Sequence, residues 1–121
     1  MKIYSNKEYY KNVYNGKLPD SEIDEYLKKA SLNITVLTFN RIIIDELSTY
    51  ETKILNEVCC NQADFLYNNK ELLNSLVSKY SLGDLSIDFS TDLNVQKING
   101  IYMEYTTYQL LNQTRYTCLY L

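Results

Sequence analysis

Apolar residues recur at a helical spacing in three parts of the chain. The first part starts with Ser5-Asn6-Lys7-Glu8, which has the form of a Ser-x-x-Glu capping box, and it stops at Asn15-Gly16, so it predicts a short helix. The second part predicts a helix from about Ser21 to Phe39, with Asp20 or Ser21 as its N-cap. The core-facing stripe of this second helix contains Ile23, Tyr26, Leu27, Ala30, Ile34, Leu37 and Thr38.

A second capping box, Ser48-Thr49-Tyr50-Glu51, starts the longest predicted helix, which continues toward Leu72-Leu73. Cys59 lies on the flank of its apolar stripe and is expected to be buried, whereas Cys60 points nearly opposite and is expected to be accessible. Gln62 lies within the stripe, where a hydrogen bond to a loop backbone is favoured over contact with a ligand. The stripe contains Ile54, Leu55, Val58, Cys59, Gln62, Phe65 and Leu66.

A strict alternation of apolar and polar residues predicts a β-hairpin over about residues 78–89, with Gly83-Asp84 at its turn. Its apolar face contains Tyr80, Leu82, Leu85, Ile87 and Phe89. The rest of the sequence shows no convincing second pair of strands. Because a lone two-stranded ribbon is at best marginally stable in water, this face is expected to lie against helices or against another molecule.

The remaining sequence predicts a loop, a helix and a C-terminal arm. The polar stretch 90–100 predicts the loop, residues 103–112 predict a short helix, and residues 115–121 have strand propensity. Chain ends are normally polar, so an arm ending in Cys-Leu-Tyr-Leu is expected to dock, either on the chain itself or on a partner. The pattern predicts one domain, 1–121, with a mainly α fold: a small bundle of three to four helices, one protruding β-hairpin and an extended C-terminal segment.

The last turns of the second predicted helix carry a further apolar patch. Leu32, Val36 and Phe39 lie on the side opposite to the core-facing stripe. This end of the helix is therefore either sandwiched within the monomer or presented to a neighbouring molecule. The patch, the hairpin and the arm are three apolar surfaces that a monomer would leave uncovered.

Composition excludes several classes of function. The 121 residues include 12 basic and 15 acidic side chains, a net charge of −3, and no basic run is longer than Lys28-Lys29, which argues against tight electrostatic binding to nucleic acid. The sequence has no histidine, which removes Ser-His-Asp and Cys-His catalysis and most zinc sites. The acidic cluster is interpreted as a solvated helix start, and not as a cation site; it contains Asp20, Glu22, Asp24 and Glu25. We therefore expect no enzymatic activity, no cofactor and no metal.

The cysteines and the hydropathy indicate where the protein is made. Two of the three cysteines are adjacent, Cys59-Cys60, which fits neither a disulfide framework nor a spaced zinc site. No window approaches the roughly 20 apolar residues of a membrane span, and the start of the sequence has no secretion signal. These observations predict free thiols in a reducing cytosol and no contact with a membrane.

Several short motifs, in this order along nearly the whole chain, resemble one protein family. They are residues 17–27 (Lys-Leu-Pro-Asp-Ser-Glu-Ile-Asp-Glu-Tyr-Leu), 38–42 (Thr-Phe-Asn-Arg-Ile), 62–67 (Gln-Ala-Asp-Phe-Leu-Tyr), the Gly83-Asp84 hairpin, and Tyr108-Gln109-Leu110-Leu111-x-x-Thr114. Together they resemble the head-tail connector proteins of tailed bacteriophages and prophages, also called adaptor or head completion proteins.

The resemblance implies a function and a set of partners. The family forms a ring of identical copies, typically a dodecamer, beneath the portal protein in the neck of the virion. This ring extends the DNA channel. The acidic charge of this chain predicts that DNA passes through it without specific binding. A stopper or tail-completion protein lies below, and assembly takes place in the host cytoplasm.

For this chain, the resemblance implies that the hairpin face and the patch of Leu32, Val36 and Phe39 form the subunit interface. C-terminal segments of the family commonly engage the portal, which here concerns Arg115, Tyr116, Cys118, Leu119, Tyr120 and Leu121. One departure affects the path of this arm. The family pattern has a glycine after Thr114 to turn the chain, and Arg115 stands there instead.

Two other classes of function stay open. A small helical regulatory or antitoxin-like module would use the same apolar surfaces to bind a single partner and not copies of itself, so the copy number in the native complex separates it from the adaptor. An enzyme that uses carboxylates and tyrosines would need a deep polar cleft lined by Asp or Glu.

Overall fold

The computed structural model describes residues 2–74 and 94–118, and the elements within these ranges are mainly helical. The elements are α1 (Lys7–Tyr9) with the π-helical turn Tyr10–Tyr14, α2 (Asp20–Leu37), the 3₁₀ turn Ile44–Glu46, α3 (Thr49–Asn68), β1 (Val95–Ile98), β2 (Ile101–Glu104) and α4 (Tyr105–Asn112). Residues 70–74 are again helical after a turn at Asn69. The predicted fold class is confirmed, although these helices slightly exceed the expected three to four. The hairpin predicted at residues 78–89 lies outside the described residues.

The core lies between α2 and α3, which pack along each other. Every residue of the predicted α2 stripe is buried, and the α3 stripe is buried from Ile54 to Phe65. The capping box of α3 is confirmed, because the Ser48 hydroxyl accepts from the Glu51 N–H at 3.1 Å and the Glu51 carboxylate accepts from the Ser48 N–H at 2.9 Å. The prediction that α3 continues to Leu73 is wrong, since the helix breaks at Asn69.

The starts of α1 and α2 differ from the prediction. The N-cap of α1 is Asn6, whose side-chain oxygen accepts from the Tyr9 N–H at 2.8 Å, and not Ser5, which is buried. Helix α2 begins after Pro19 with no side-chain cap bond, so neither Asp20 nor Ser21 is the N-cap. The fixed φ of proline already suits the entry to a helix, which makes a capping side chain less necessary there.

Three tyrosines of the first helical segment bind the outer side of α3. The hydroxyls of Tyr9 and Tyr10 donate to the carboxylates of Glu57 at 2.7 Å and Asp64 at 2.5 Å. The Tyr14 hydroxyl contacts Asp64 at 3.0 Å and also contacts the Asn61 side chain. Since Tyr10 and Tyr14 both reach Asp64, the π-helical turn places two rings, 5.4 Å apart, on one carboxylate.

This docking explains why the prediction for Cys60 is wrong. Cys60 is fully buried, and its sulfur lies 3.4 Å from the Ser5 hydroxyl. A helical wheel with one apolar stripe assumes that one side of the helix faces solvent, whereas α3 is covered by α2 on one side and by the N-terminal segment on the other. Cys59 is buried, as predicted.

A hairpin stands where the sequence predicts a loop. Strands β1 and β2 pair antiparallel, and Ile98 pairs with Ile101 across a two-residue turn. The turn residues Asn99 and Gly100 have φ of 51° and 84°, which is the backbone that a type I′ turn requires. The predictions of a loop over 90–100 and of no second strand pair are therefore wrong. The Asn-Gly dipeptide was the signal that could have found this hairpin.

Helix α4 begins directly after the hairpin, at Tyr105 and not at the predicted Met103. Asn94, just before β1, accepts the Thr106 N–H on its side-chain oxygen at 3.1 Å and so caps the helix from the opposite strand. Gln62 holds the other side of the hairpin, because its amide donates to the Tyr102 carbonyl at 3.0 Å and to Asn33 at 2.8 Å. The expected backbone partner of Gln62 is thus real, but it lies in a strand and not in a loop.

Candidate functional site

An exposed apolar surface lies at the C-terminal end of α2. Leu32, Val36 and Phe39 have exposed fractions of 50%, 42% and 43%, which are high for large apolar side chains. Leu32 and Val36 lie one turn apart on the side of α2 opposite to its buried stripe, and Phe39 lies in the turn that follows the helix. The described part of the chain therefore does not sandwich this end of α2.

Two other segments extend this surface. The exposed side chains of Ile3, from the N-terminal segment, and Ile44, from the 3₁₀ turn, line a groove beside Leu32. Ile3 and Ile44 also line an adjoining pocket whose floor includes Leu55 of α3. We call the five exposed residues Ile3, Leu32, Val36, Phe39 and Ile44 the α2 face. Sequence analysis missed Ile3 and Ile44, since helical periodicity cannot relate residues that lie in different segments.

The turn that ends α2 has an unusual backbone. Phe39 and Asn40 both have left-handed conformations, with φ of 58° and 55°. The Phe39 N–H donates to the Val36 carbonyl at 3.2 Å, and the Asn40 N–H donates to the Thr35 carbonyl at 2.9 Å. These two bonds define a Schellman motif, in which Phe39 occupies the position where glycine is usual. In this turn the Phe39 ring is partly exposed.

Arg41 connects this turn to the C-terminal arm. Its Nε donates to the Thr38 carbonyl at 3.2 Å, and its guanidinium lies 4.9 Å from the centre of the Phe39 ring. Its Nη2 donates to the backbone carbonyls of Tyr116, at 2.6 Å, and of Cys118. One side chain thus holds the arm against the end of α2, beside the α2 face.

The arm folds into a turn in the part that the structure describes. Arg115 has φ of 66°, so it adopts the left-handed conformation that favours glycine. The Cys118 N–H donates back to the Arg115 carbonyl at 3.2 Å. The strand propensity predicted for this segment is not realised over residues 115–118, because the left-handed Arg115 and the bond from the Cys118 N–H close a turn there. Leu119, Tyr120 and Leu121 lie outside the described residues.

Tyr116 anchors the arm on the chain itself. Its ring is partly buried against the core, and burial together with the nearby Glu51 and Glu46 carboxylates raises the pKa of its hydroxyl. Arg115 and Cys118, in contrast, are exposed. Of the two expectations for the arm, docking on the chain itself holds for residues 116–118. The expectation that Arg115, Tyr116 and Cys118 contact a portal protein stays a prediction.

The tyrosine cluster that binds α3, formed by Tyr9, Tyr10 and Tyr14, is suited to a structural role. Burial, followed by the bond to Asp64, raises the pKa of Tyr10 to about 12, and burial and neighbouring carboxylates raise the pKa values of Tyr9 and Tyr14 as well. These hydroxyls therefore keep their protons near neutral pH and act as hydrogen-bond donors to the carboxylates. The cluster ties the first helical segment to α3.

Two carboxylates at the acidic start of α2 are paired with lysines. Asp20 pairs with Lys11 at 3.0 Å, and this ammonium lowers the pKa of the Asp20 carboxyl. Glu25 lies 3.9 Å from Lys29, one helical turn along α2. Across residues 2–74 and 94–118, no group of three cysteine, aspartate or glutamate side chains is placed to hold a metal ion.

No helix within the described ranges is both long and apolar enough to cross a membrane. Neither a family model, nor a curated protein, nor a solved structure matches this chain. The α2 face and the adjacent arm are therefore the features of the chain that bear on its function.

Proposed function

We propose that this chain is a structural adaptor subunit of a tailed-phage neck, where identical copies form a ring beneath the portal and extend the DNA channel. The observation that carries the proposal is the α2 face, an uncovered apolar surface that lies directly beside a C-terminal arm. The resemblance of the sequence motifs to head-tail connector proteins supports the same function.

The size of the α2 face supports a protein interface. Its five large side chains are all more than two-fifths exposed, and they belong to three different segments. Removing apolar area from water gains about 25 cal/mol per Å², so a contact over several hundred Å² contributes several kcal/mol before the costs of association. In a closed ring the same contact recurs at each boundary between copies.

The position of the arm supports a second contact at the same end of the molecule. Arg41 holds the carbonyls of Tyr116 and Cys118, which belong to the described part of the arm, at the end of α2. In this proposal the α2 face meets the neighbouring copy and the arm meets the portal protein. The stopper or tail-completion protein binds the ring from the other side.

The charge of the chain supports a passage for DNA. The net charge of −3 gives the ring an overall repulsion toward phosphate groups. A wall that attracted phosphates would slow the movement of DNA, so DNA passes through this ring without specific binding. The assembled protein belongs to the neck of the virion, and its assembly takes place in the host cytoplasm.

Electron microscopy of particles from cells that produce the virus tests the proposal. We expect a ring of copies of this chain between the portal and the tail. The double variant Leu32→Asp/Val36→Asp should keep its helical circular dichroism but be missing from the particles, and Leu82→Asp/Leu85→Asp should behave in the same way if the predicted hairpin is also an interface.

Val13→Asp is the matched control, because Val13 is an exposed apolar residue on the first helical segment, with an exposed fraction of 59%. This variant should enter the particles normally. Recovery of the chain in a complex with one copy of one other protein, and its absence from particles, would contradict the adaptor function and favour the regulatory or antitoxin-like module.

A further inference from the structure

The hydrogen-bond ladder of the hairpin fixes which backbone groups face outward. The Tyr105 N–H donates to the Asn94 carbonyl, so the hydrogen-bonded pairs lie at every second position of the register, at 94/105, 96/103 and 98/101. Because the backbone groups reverse direction with each residue along a strand, the N–H and C=O groups of Val95 and Lys97 point away from β2. These groups form the outer edge of β1.

The two outer edges of the hairpin differ in how they are satisfied. On the β2 side, the Tyr102 carbonyl accepts from the Gln62 side chain at 3.0 Å. On the β1 side, no hydrogen bond joins the backbone of Val95 or Lys97 to another group in the described part of the chain. The side chains of Gln96 and Lys97 are exposed. An open edge of this kind is a template for a further strand.

Contacts at both ends hold β1 in an extended form. Before the strand, the Asn94 side-chain oxygen accepts from the Thr106 N–H at 3.1 Å, and its amide donates to the Glu104 carboxylate at 3.3 Å. After the strand, the Asn99-Gly100 turn returns the chain into β2. A strand that is already extended loses less conformational entropy when it pairs, which favours binding at this edge.

The edge also carries a cation without an acidic partner. One face of the hairpin bears the buried Met103, together with Ile98 and Ile101, which pack against the core. On the other face, the Lys97 ammonium lies 5.5 Å from the centre of the Tyr102 ring. Across residues 2–74 and 94–118, no carboxylate lies within ion-pair distance of Lys97. A third strand would therefore place alternate side chains beside Lys97 and beside Ile98.

From these observations we infer that the outer edge of β1 binds an extended segment of another protein, which adds to the hairpin as a third strand. The N–H and C=O groups of Val95 and Lys97 recognise the backbone of this segment. Its residue opposite Lys97 is acidic, because that residue supplies the missing counter-charge. The residues on either side of the acid are apolar, since they lie beside Ile98 on the core-facing side.

This interaction goes beyond the proposed ring and does not depend on it. Neither the α2 face nor the described part of the arm contributes a residue to the edge of β1. The adaptor function is tested in viral particles, whereas strand addition is tested on the isolated chain, so either proposal can fail without the other.

Hydrogen exchange of backbone amides tests the strand addition. The probe is a capped five-residue peptide that alternates valine and aspartate, added to the full chain. At saturating peptide the amides of Val95 and Lys97 should exchange about tenfold more slowly, whereas those of Gln96 and Ile98, which already face β2, should change little. The same peptide methylated on all its backbone nitrogens cannot donate hydrogen bonds and should give no protection.

Charge reversal tests the preference for an acidic segment. Lys97→Glu should bind the valine–aspartate peptide about threefold more weakly than the unchanged chain does, and it should bind a valine–lysine peptide about threefold more tightly. Added salt should weaken both preferences. Lys53→Glu, at an exposed lysine of α3, is the matched control and should leave both affinities unchanged.

Three results would overturn the inference. One is exchange at Val95 and Lys97 that about 10 mM peptide does not slow, because even a contact with a Kd of about 1 mM is populated there. Another is protection of these amides before peptide is added: protection that rises with protein concentration would assign the edge to a second copy, and protection at every concentration would assign it to the chain itself. The third is equal binding of the acidic and the basic peptide to the unchanged chain.

Discussion

Arg41 and Tyr116 are 75 residues apart in sequence, and their direct contact, at 2.6 Å from Nη2 to the carbonyl oxygen, joins the end of α2 to the C-terminal arm. The same guanidinium reaches the Cys118 carbonyl. Within the described ranges, no other charged side chain bonds to the arm backbone. The path of the arm after Arg115 therefore depends on this residue of the α2 turn as well as on the partly buried Tyr116 ring.

Arg41→Ala should release the arm. The loss of the bonds to the Tyr116 and Cys118 carbonyls should lower the free energy of unfolding by about 1 kcal/mol, a small value because these groups are close to solvent. Hydrogen exchange should become faster at the backbone amides of residues 116–118. Lys17→Ala, which removes an exposed cation elsewhere, should change neither quantity. Unaltered exchange in the arm of Arg41→Ala would show that other contacts hold it.

The stability of the fold should fall in alkali. Tyr10 has a pKa of about 12 in the folded chain and about 10 when unfolded, so the folded state favours the protonated hydroxyl. This contribution is fully present below pH 10 and is lost as the pH rises from 10 to 12. Urea unfolding measured across this range should show a smaller slope with pH for Tyr10→Phe than for the unchanged chain.

Tyr50→Phe is the control for this pH dependence. Tyr50 is 62% exposed, so its replacement should leave the alkaline slope as it is in the unchanged chain. An equal slope for Tyr10→Phe and the unchanged chain would mean that burial and the bond to Asp64 do not protect the proton of Tyr10.

One thiol of three should react in the folded protein. Cys59 and Cys60 are buried, and burial raises the pKa of the first to about 11 and of the second to about 12, so neither forms the reactive thiolate near neutral pH. Cys118 is exposed. Ellman's reagent should therefore titrate one thiol before unfolding and three in denaturant. The variant Cys118→Ser should show no fast reaction, and a fast second thiol would contradict the burial of Cys60.

Two glycine variants should destabilise the fold for different reasons. A Cβ at Gly16 would lie 1.9 Å from Cζ of Tyr10, so Gly16→Ala must displace a buried ring and should lower the free energy of unfolding by about 3 kcal/mol. A Cβ at Gly100 meets open space, but φ is 84°, so Gly100→Ala should lower it by about 1 kcal/mol through backbone strain. The urea midpoints of Gly16→Ala and Gly100→Ala measure these losses of stability. An equal loss in both variants would contradict the tight packing of Tyr10.

Sequence patterns predicted the helices because helical periodicity is a local property. The α2 stripe and the Ser48-Glu51 box depend on residues within a few turns, and both appear as expected. Cys60 shows the limit of this reasoning, since its burial depends on a segment that lies 55 residues earlier in the chain. The hairpin at 95–104 was missed for a different reason. Buried and exposed side chains do not alternate along β1, so the Asn99-Gly100 turn is the sequence signal for this hairpin.

The candidate site was predictable in part. Leu32 and Val36 could be placed on one exposed side of a helix from their spacing alone, whereas Phe39 is exposed in a left-handed turn that helical spacing does not describe. Arg41 could not be assigned a role, because its partners are backbone carbonyls, which carry no sequence signal. Lys2, likewise, reaches Asn40 only through the tertiary fold.

The attachment of the arm through Arg41 has a mechanical consequence. The Tyr116 and Cys118 carbonyls lie beyond α4 in the chain, so Arg41 ties a segment that follows α4 to the turn that ends α2. A pulling force on the described arm would break these two bonds before it disrupted the buried stripe of α2, because together they contribute only about 1 kcal/mol. The arm can therefore detach while the α2–α3 core stays folded.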